Sequence, residues 1–168
     1  MARYVPFQSS SRYAAGVTED GAEVRTRLAA YALCLDEGRV LLCRIAPGYP
    51  GSGDWTLPGG GVHFGEDPAD TVIRELAEET GLSGTILSIA FVHSGGGVNE
   101  GTVGKQPWHG VRIVYHVDVI GGELRDEIDD STDRAAWVPV PDADQLPIVD
   151  MVGVALDHLR ALDQARNE

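Results

Sequence analysis

Sulfur, zinc and membrane chemistry find little support in this sequence. It holds two cysteines, Cys34 and Cys43, and no Cys/His spacing of the kind that builds a zinc site. A bridge between them across a hairpin is conceivable, but a reducing compartment favours two buried free thiols. No stretch approaches the ~18 consecutive apolar residues of a membrane span. The opening MARYVPFQSS lacks the basic region and apolar core of an export signal, so the expected location is cytoplasmic. Positive charge is also scarce: 13 Lys and Arg stand against 26 Asp and Glu, for a net charge of −13. Such a field does not draw a protein to a nucleic-acid polymer or an anionic membrane, and neither is expected as a partner. An anionic small-molecule substrate would need a bound divalent cation, whose charge inverts the local electrostatics.

What is present suits a folded domain. Hydrophobic residues make up 43 % of 168 residues, enough for one domain around one core. Residues 1–22 mix Ser, Gly and charges without periodicity and read as an N-terminal extension that supplies at most an edge strand. Residues 23–168 read as a single domain. Residues 24–35 and Arg39–Ile45 look like strands joined at Asp36-Glu37-Gly38, a hairpin signal. Pro47, Gly48, Pro50, Gly51 and Gly53 mark a loop. Further strands are expected over 83–95, 109–122 and 135–140, with a Gly-rich loop over 95–104 and an acidic loop over 126–133. Val152, Leu156, Leu159 and Leu162 recur near helical spacing, which predicts a C-terminal helix over 150–165 packed on a sheet. Strands flanked by two helices make an α+β domain layered α/β/α.

The chemistry concentrates in one helix. Asp67 is a natural N-cap, Pro68 suits the first helical position and Gly81 suits the C′ position, so the helix should run over Pro68–Thr80. On a wheel of about 100° per residue with Glu75 at zero, Glu78 falls at about −60° and Glu79 at about +40°. Ala69, Val72, Ile73, Leu76 and Ala77 fill an apolar arc on the other side. The residues alone leave two readings: a solvated acidic face, or hard oxygen donors for a divalent ion. Arg74, placed to orient a carboxylate, and the preceding Gly59-Gly60-Gly61, which offers backbone carbonyls, favour the second.

Residues 60–82 resemble the Nudix box of the MutT-like hydrolases, G-x5-E-x7-R-E-U-x-E-E-x-G-U with U aliphatic. Every fixed position is filled: Gly60, Glu66, Arg74, Glu75, Leu76, Glu78, Glu79, Gly81 and Leu82. The upstream WTLPGG looks like the approach to that box. The resemblance implies a mixed sheet between helices with a loop–helix–loop catalytic motif. It also implies hydrolysis of a pyrophosphate bond in a nucleoside diphosphate derivative, with Mg²⁺ or Mn²⁺ as cofactor. Glu75, Glu78 and Glu79 would ligate the metal with help from the Gly60 carbonyl, Arg74 would hold the carboxylates, and Glu66 would brace the loop. Gly81 would end the helix. The general base is left open between Glu79 and the later acidic residues Glu127, Asp129 and Asp130.

Substrate signals are weak. The stretch 95–98 lacks both the proline associated with ADP-ribose hydrolases and the tyrosine associated with dinucleoside polyphosphate hydrolases. Gln106-Pro107-Trp108 matches part of an NADH-hydrolase signature that Lys105 and His109 break. Trp108 and Tyr115 are candidates to stack on a base, and His63 is a candidate loop contact to substrate. The expected substrate is a nucleoside triphosphate or a nucleotide-sugar-like diphosphate, and the family makes a homodimer an expectation to test. Two rivals share the scaffold. One is a non-catalytic nucleotide sensor, which the intact box disfavours. The other is an isoprenoid diphosphate isomerase using a cysteine, which no motif around Cys34 or Cys43 supports.

Overall fold

Two sheets carry the apolar strands. The computed structural model describes residues 5–6, 15–17, 23–101 and 104–166 of the chain. In order, the elements are β1 (Val5–Pro6), β2 (Ala15–Val17), β3 (Glu23–Leu33), β4 (Leu35–Asp36), β5 (Arg39–Ile45), β6 (Trp55–Thr56) and β7 (Gly59–Gly61). Then follow α1 (Pro68–Thr80), β8 (Leu82–Gly101), β9 (Gly104–Gly122), β10 (Thr132–Pro139), α2 (Val140–Ala143) and α3 (Asp150–Arg166). Among these, the larger sheet runs β1-β2-β3-β9-β8 with β7 added to β3, and the smaller runs β10-β5-β4 with β6 added to β5. β3 pairs in parallel with β9, and β9 antiparallel with β8, so the larger sheet is mixed.

Successive side chains on a strand point to opposite faces, and β3 uses both. Ala30 and Ala32 turn towards α1, where they join Val72, Leu76, Tyr115 and Val117 in one apolar cluster. Leu33 turns the other way, and with Val114 it meets Met151, Val152, Ala155 and Leu156 of α3. The α/β/α layering is therefore held by apolar contact on each face. A fully buried aliphatic side chain stabilises by about 1.5–3 kcal/mol. Leu162, expected on this apolar stripe, is exposed, because the last turns of α3 run beyond the core.

Several expected boundaries shift. Residues 24–35 are not one strand: the chain leaves the larger sheet after Leu33, and only Leu35–Asp36 pairs with β5. Both edges of β3 are already occupied, by β9 on one side and by β2 and β7 on the other. The hairpin turn is as expected, with Glu37 at φ 47° and Gly38 at φ 76°, the paired positive values of a two-residue turn. The long partner of β5 is β10. The Gly-rich stretch over 95–104 is not an open loop either. Its backbone continues the β8–β9 ladder to Gly101↔Gly104, since ladder hydrogen bonds need no side chains when a partner strand is supplied. Part of the acidic loop becomes strand as well, because β10 already begins at Thr132. Of the expected extension, β2 is an antiparallel neighbour of β3 and β1 pairs with β2. Both cysteines are buried and free, and burial pushes the Cys34 thiol up to about 12.

On the α3 side, His116 Nε2 and His158 Nε2 lie 2.9 Å apart, so one ring donates and the other accepts. Burial, and then the neighbouring His158, hold His116 below its ordinary value. The sign follows from linkage. Below about pH 6.5 the unfolded chain takes up a proton that the folded ring resists, so this contribution to stability is lost as the pH falls through the folded value. The thermal midpoint of the wild type should therefore drop more between pH 7.5 and 5 than that of His116→Gln. Equal drops in paired melting curves would remove this role.

Candidate metal and active site

Helix α1 is built as its sequence suggests. Asp67 caps it by accepting from the Ala69 amide at 2.8 Å, Pro68 opens it, and Gly81 closes it at φ 71° with its amide on Ala77 O. One expectation about its faces needs correction. Ala77 is exposed, whereas Glu79 and Thr80 are buried, Glu79 at 2 % exposure. The helix packs on β7 at the sheet edge as well as on β3 and β8, so the arc it covers is wider than the apolar stripe and reaches one glutamate. The three box carboxylates therefore do not share one exposed stripe: Glu78 is open to solvent, Glu75 is mostly covered, and Glu79 points inward.

Strand β7 makes room for this. It pairs antiparallel with β3 as Gly59↔Tyr31, Gly60↔Ala30 and Gly61↔Ala29. The Gly59 amide donates to Glu79 Oε2 at 2.8 Å. A Cβ on Gly60 would lie 2.6 Å from Glu75 Oε1, so only glycine lets the carboxylate approach this backbone. Burial pushes the Glu79 carboxyl well above the usual carboxylate range. The Gly59 amide opposes that shift, and Glu75 and Glu127 add to it. Glu75 is raised in the same way by burial, against the pull of Arg74.

Arg74 is the hub. Its Nε and Nη2 grip Glu66 Oε1 and Oε2 at 2.9 and 3.1 Å, a two-pronged contact. Its Nη1 donates to Glu75 Oε1 and to Glu78 Oε2, each at 2.9 Å. Glu66 also accepts from the His63 amide at 3.0 Å, which ties the loop to the helix. The Arg74 hydrogen bonds lower the Glu66 carboxyl to about 2.

A cleft of about 1040 Å³ opens over these groups. Glu66, Arg74, Glu75 and Glu78 line its α1 side, together with Gly60 and His63 from the loop. Glu127 and Asp130 of the later acidic loop line it as well, so the fold brings two of the three loop candidates to the box; Asp129, at φ 61°, is not among the lining residues. Glu127 is held by the Thr132 amide and hydroxyl at 3.2 and 2.9 Å. His63 is 73 % exposed at the rim. Neither aromatic candidate lines this cleft. Tyr115 lies in the core beneath α1, and Trp108 lies farther along β9. Sequence reasoning missed Arg27 and Ser131, which also line the cleft. Arg27 carries no local motif, and only the pairing of β3 with β7 places it there.

Do these residues fit a divalent metal? Glu79 is a buried carboxyl beside two further acidic groups, Glu75 and Glu127, and it accepts from the Gly59 amide and the Ser131 side chain. This all-oxygen donor set beside a side-chain-free backbone suits Mg²⁺ or Mn²⁺, which keep several waters and take few protein ligands. Among the described residues no three His, Cys, Asp or Glu side chains already converge on one point. Arg74 occupies oxygens of Glu75 and Glu78 instead.

Comparisons with known proteins agree with this geometry. Residues 25–153 match the model of the NUDIX domain. The chain is 33 % identical over 115 residues to a putative mutator protein MutT4 of Mycobacterium tuberculosis, an alignment covering 64 % of this chain and 44 % of that protein. It is 40 % identical over 77 residues to an ADP-ribose pyrophosphatase of Methanocaldococcus jannaschii, covering 45 % of this chain and 41 % of the other. The chain thus spans less than half the length of these two relatives. Among solved structures, a MutT NUDIX hydrolase from Burkholderia pseudomallei superposes with a TM-score of 0.62 at 26 % identity, over 80 % of this chain and 98 % of that one.

Proposed function

This chain belongs to the Nudix family, and from that premise we propose that it hydrolyses a pyrophosphate bond in a nucleoside diphosphate derivative, by attack of water on phosphorus. A nucleoside triphosphate or a nucleotide-sugar-like diphosphate is the substrate class, and Mg²⁺ or Mn²⁺ is the cofactor. The observation that carries the reading is the inward-turned Glu79 behind Glu75 and Glu127, which themselves line an open cleft. The names of the two relatives support it.

Glu75, Glu78 and Glu79, with the Gly60 carbonyl, would hold the metal. When bound, such an ion supplies charge neutralisation at phosphate oxygens and a more acidic water, worth several kcal/mol. Arg74 sets the orientation of Glu75 and Glu78, and Glu66 fixes Arg74 in turn. For the proton of the attacking water, the box offers Glu79 and the loop offers Glu127 and Asp130. Glu127 is the better placed of the loop pair, because two Thr132 donors hold its carboxylate while it faces the box. The two free buried thiols accord with a reducing, cytoplasmic setting.

The test is a panel of nucleoside triphosphates, dinucleotides and nucleotide sugars, assayed for released phosphate or pyrophosphate. Turnover is expected with Mg²⁺ or Mn²⁺. It should vanish with excess chelator and return when metal is restored. Nucleotide binding without turnover of any panel member would favour the sensor reading instead.

A further inference from the structure

Beyond the carboxylates, the larger sheet carries a second arrangement on the face towards α3. The register sets Gly61, Ala29, Arg112 and His93 in one row across four strands. The next row holds Arg27, Gly110 and Gly95, and the following pairs Trp108 with Gly97. Directly opposed residues share a face of the sheet, so this face has a floor of glycines and Ala29 with cationic and aromatic side chains standing on it.

Trp108 lies down on that floor. A Cβ at Gly97 would sit 3.2 Å from the indole Nε1, and one at Gly110 would sit 3.6 Å from the far ring atom Cζ3. The two ends of the indole therefore rest over two glycines on neighbouring strands, a pose that a side chain at either position would disturb. The residue remains 37 % exposed, with the ring lying over the floor. Arg112 stands 6.0 Å from the ring centroid. Its Nη1 donates to His93 Nδ1 at 3.0 Å, and Asp150 at the start of α3 lies 3.9 Å away. A guanidinium has five N–H donors, and these contacts leave several for a ligand.

We propose that Trp108 is a specificity-determining residue, whose indole stacks on the planar base of the substrate while Arg112 beside it donates hydrogen bonds to the same ligand. The inference rests on the reading of this chain as a diphosphate hydrolase. The floor adjoins the catalytic cleft: Arg27, which lines the cleft, is the register partner of Gly110. Gly61, which lines the cleft with Glu75 and Glu78, stands two strand spacings from Arg112, roughly 10 Å. The indole lies farther along β9 over Gly110 and Gly97, so the base of an extended nucleoside diphosphate derivative lies on this floor while its phosphates lie in the cleft. Stacking selects for a flat ring and tolerates its identity. The site therefore takes nucleoside diphosphate derivatives in preference to diphosphates that lack a base.

The experiment has two arms. In the first, ADP-ribose and the base-free 5-phosphoribosyl 1-diphosphate are compared as substrates, and the ratio of their kcat/KM values is followed through wild type, Trp108→Ala, Trp108→Phe and Arg112→Gln. The ratio should fall about 10-fold or more in Trp108→Ala, the size of a lost base–aromatic stack. It should recover largely in Trp108→Phe and fall again in Arg112→Gln. In the second arm, AMP is titrated while tryptophan emission is read. It should quench the wild type, and the quench should disappear in Trp108→Phe, where Trp55 and Trp137 remain. A ratio unchanged in Trp108→Ala, or a quench that persists in Trp108→Phe, overturns the proposal. If the wild type turns over neither diphosphate, the hydrolase reading fails, whereas the AMP arm still decides for or against the stacking site.

Discussion

Glu79→Gln should lower kcat at least ~10²-fold with metal present while leaving the thermal midpoint unchanged or raised. The two halves of this expectation have one cause. The carboxylate is buried at 2 % exposure beside Glu75 and Glu127, and desolvation makes its charge costly to the metal-free fold. Glutamine has nearly the same shape, and its carbonyl can still accept from the Gly59 amide. The substitution therefore relieves a strain on the apo-protein. It also removes one of the charges that would hold the metal, whose stabilisation of several kcal/mol amounts to two or more powers of ten in rate. Glu78→Gln should lose activity to a similar degree, but without the stability gain, because Glu78 is open to solvent and bonds Arg74 at the surface. Wild-type turnover in both purified variants at saturating metal would remove the assignment. Steady-state assays beside melting curves give both readouts.

Gly59→Ala should damage the fold, whereas its neighbour Gly60→Ala should damage only the site. Gly59 sits at φ 146°, and an added Cβ would run into Ala30 O and lie 2.6 Å from Tyr31 Cα, both backbone. Neither obstacle can swing away, so β7 must separate from β3. The expected loss is about 3 kcal/mol or more, from left-handed strain and the broken contact. For a domain of this size that is a fall in thermal midpoint of roughly 6–12 °C. At Gly60 the nearest obstacle is Glu75 Oε1, the end of a flexible side chain. Glu75 can rotate aside, so the melting curve should move little while metal-dependent turnover falls. A Gly59→Ala protein that melts with the wild type would show that β7 is not held against β3 as described.

The contrast between these glycines illustrates what a one-dimensional reading reaches. Helix α1 was legible to its ends, because Asp67, Pro68 and Gly81 act on the backbone within a few residues. The box carboxylates were legible for the same reason, through spacing along one helix. The burial of Glu79 was not: a helical wheel sorts residues by side, but the width of the covered arc depends on β7, whose pairing with β3 joins residues distant in sequence. The same holds for Glu127 and Asp130, whose places on the cleft wall are set by the fold and by no local spacing. Tyr115 and Trp108 are both aromatic, both on β9, and indistinguishable by pattern. One enters the core against α1, and the other lies across glycines on the opposite face. The extended β8–β9 ladder was hidden because its glycines signal turns locally while their pairing is set by the facing strand.

The loop between β7 and α1 is anchored at both ends. The three-residue ladder of β7 fixes its beginning, and the Asp67 cap fixes its close. Glu66 belongs to the second anchor through its grip on Arg74. Val62 still packs on the cluster beneath α1, so positions 63–65 are left as an insulated cassette, with Phe64 held out to solvent at the mouth of the cleft. New side chains could be grafted there to retune which leaving group is accepted, while the helix that carries the carboxylates keeps its footing.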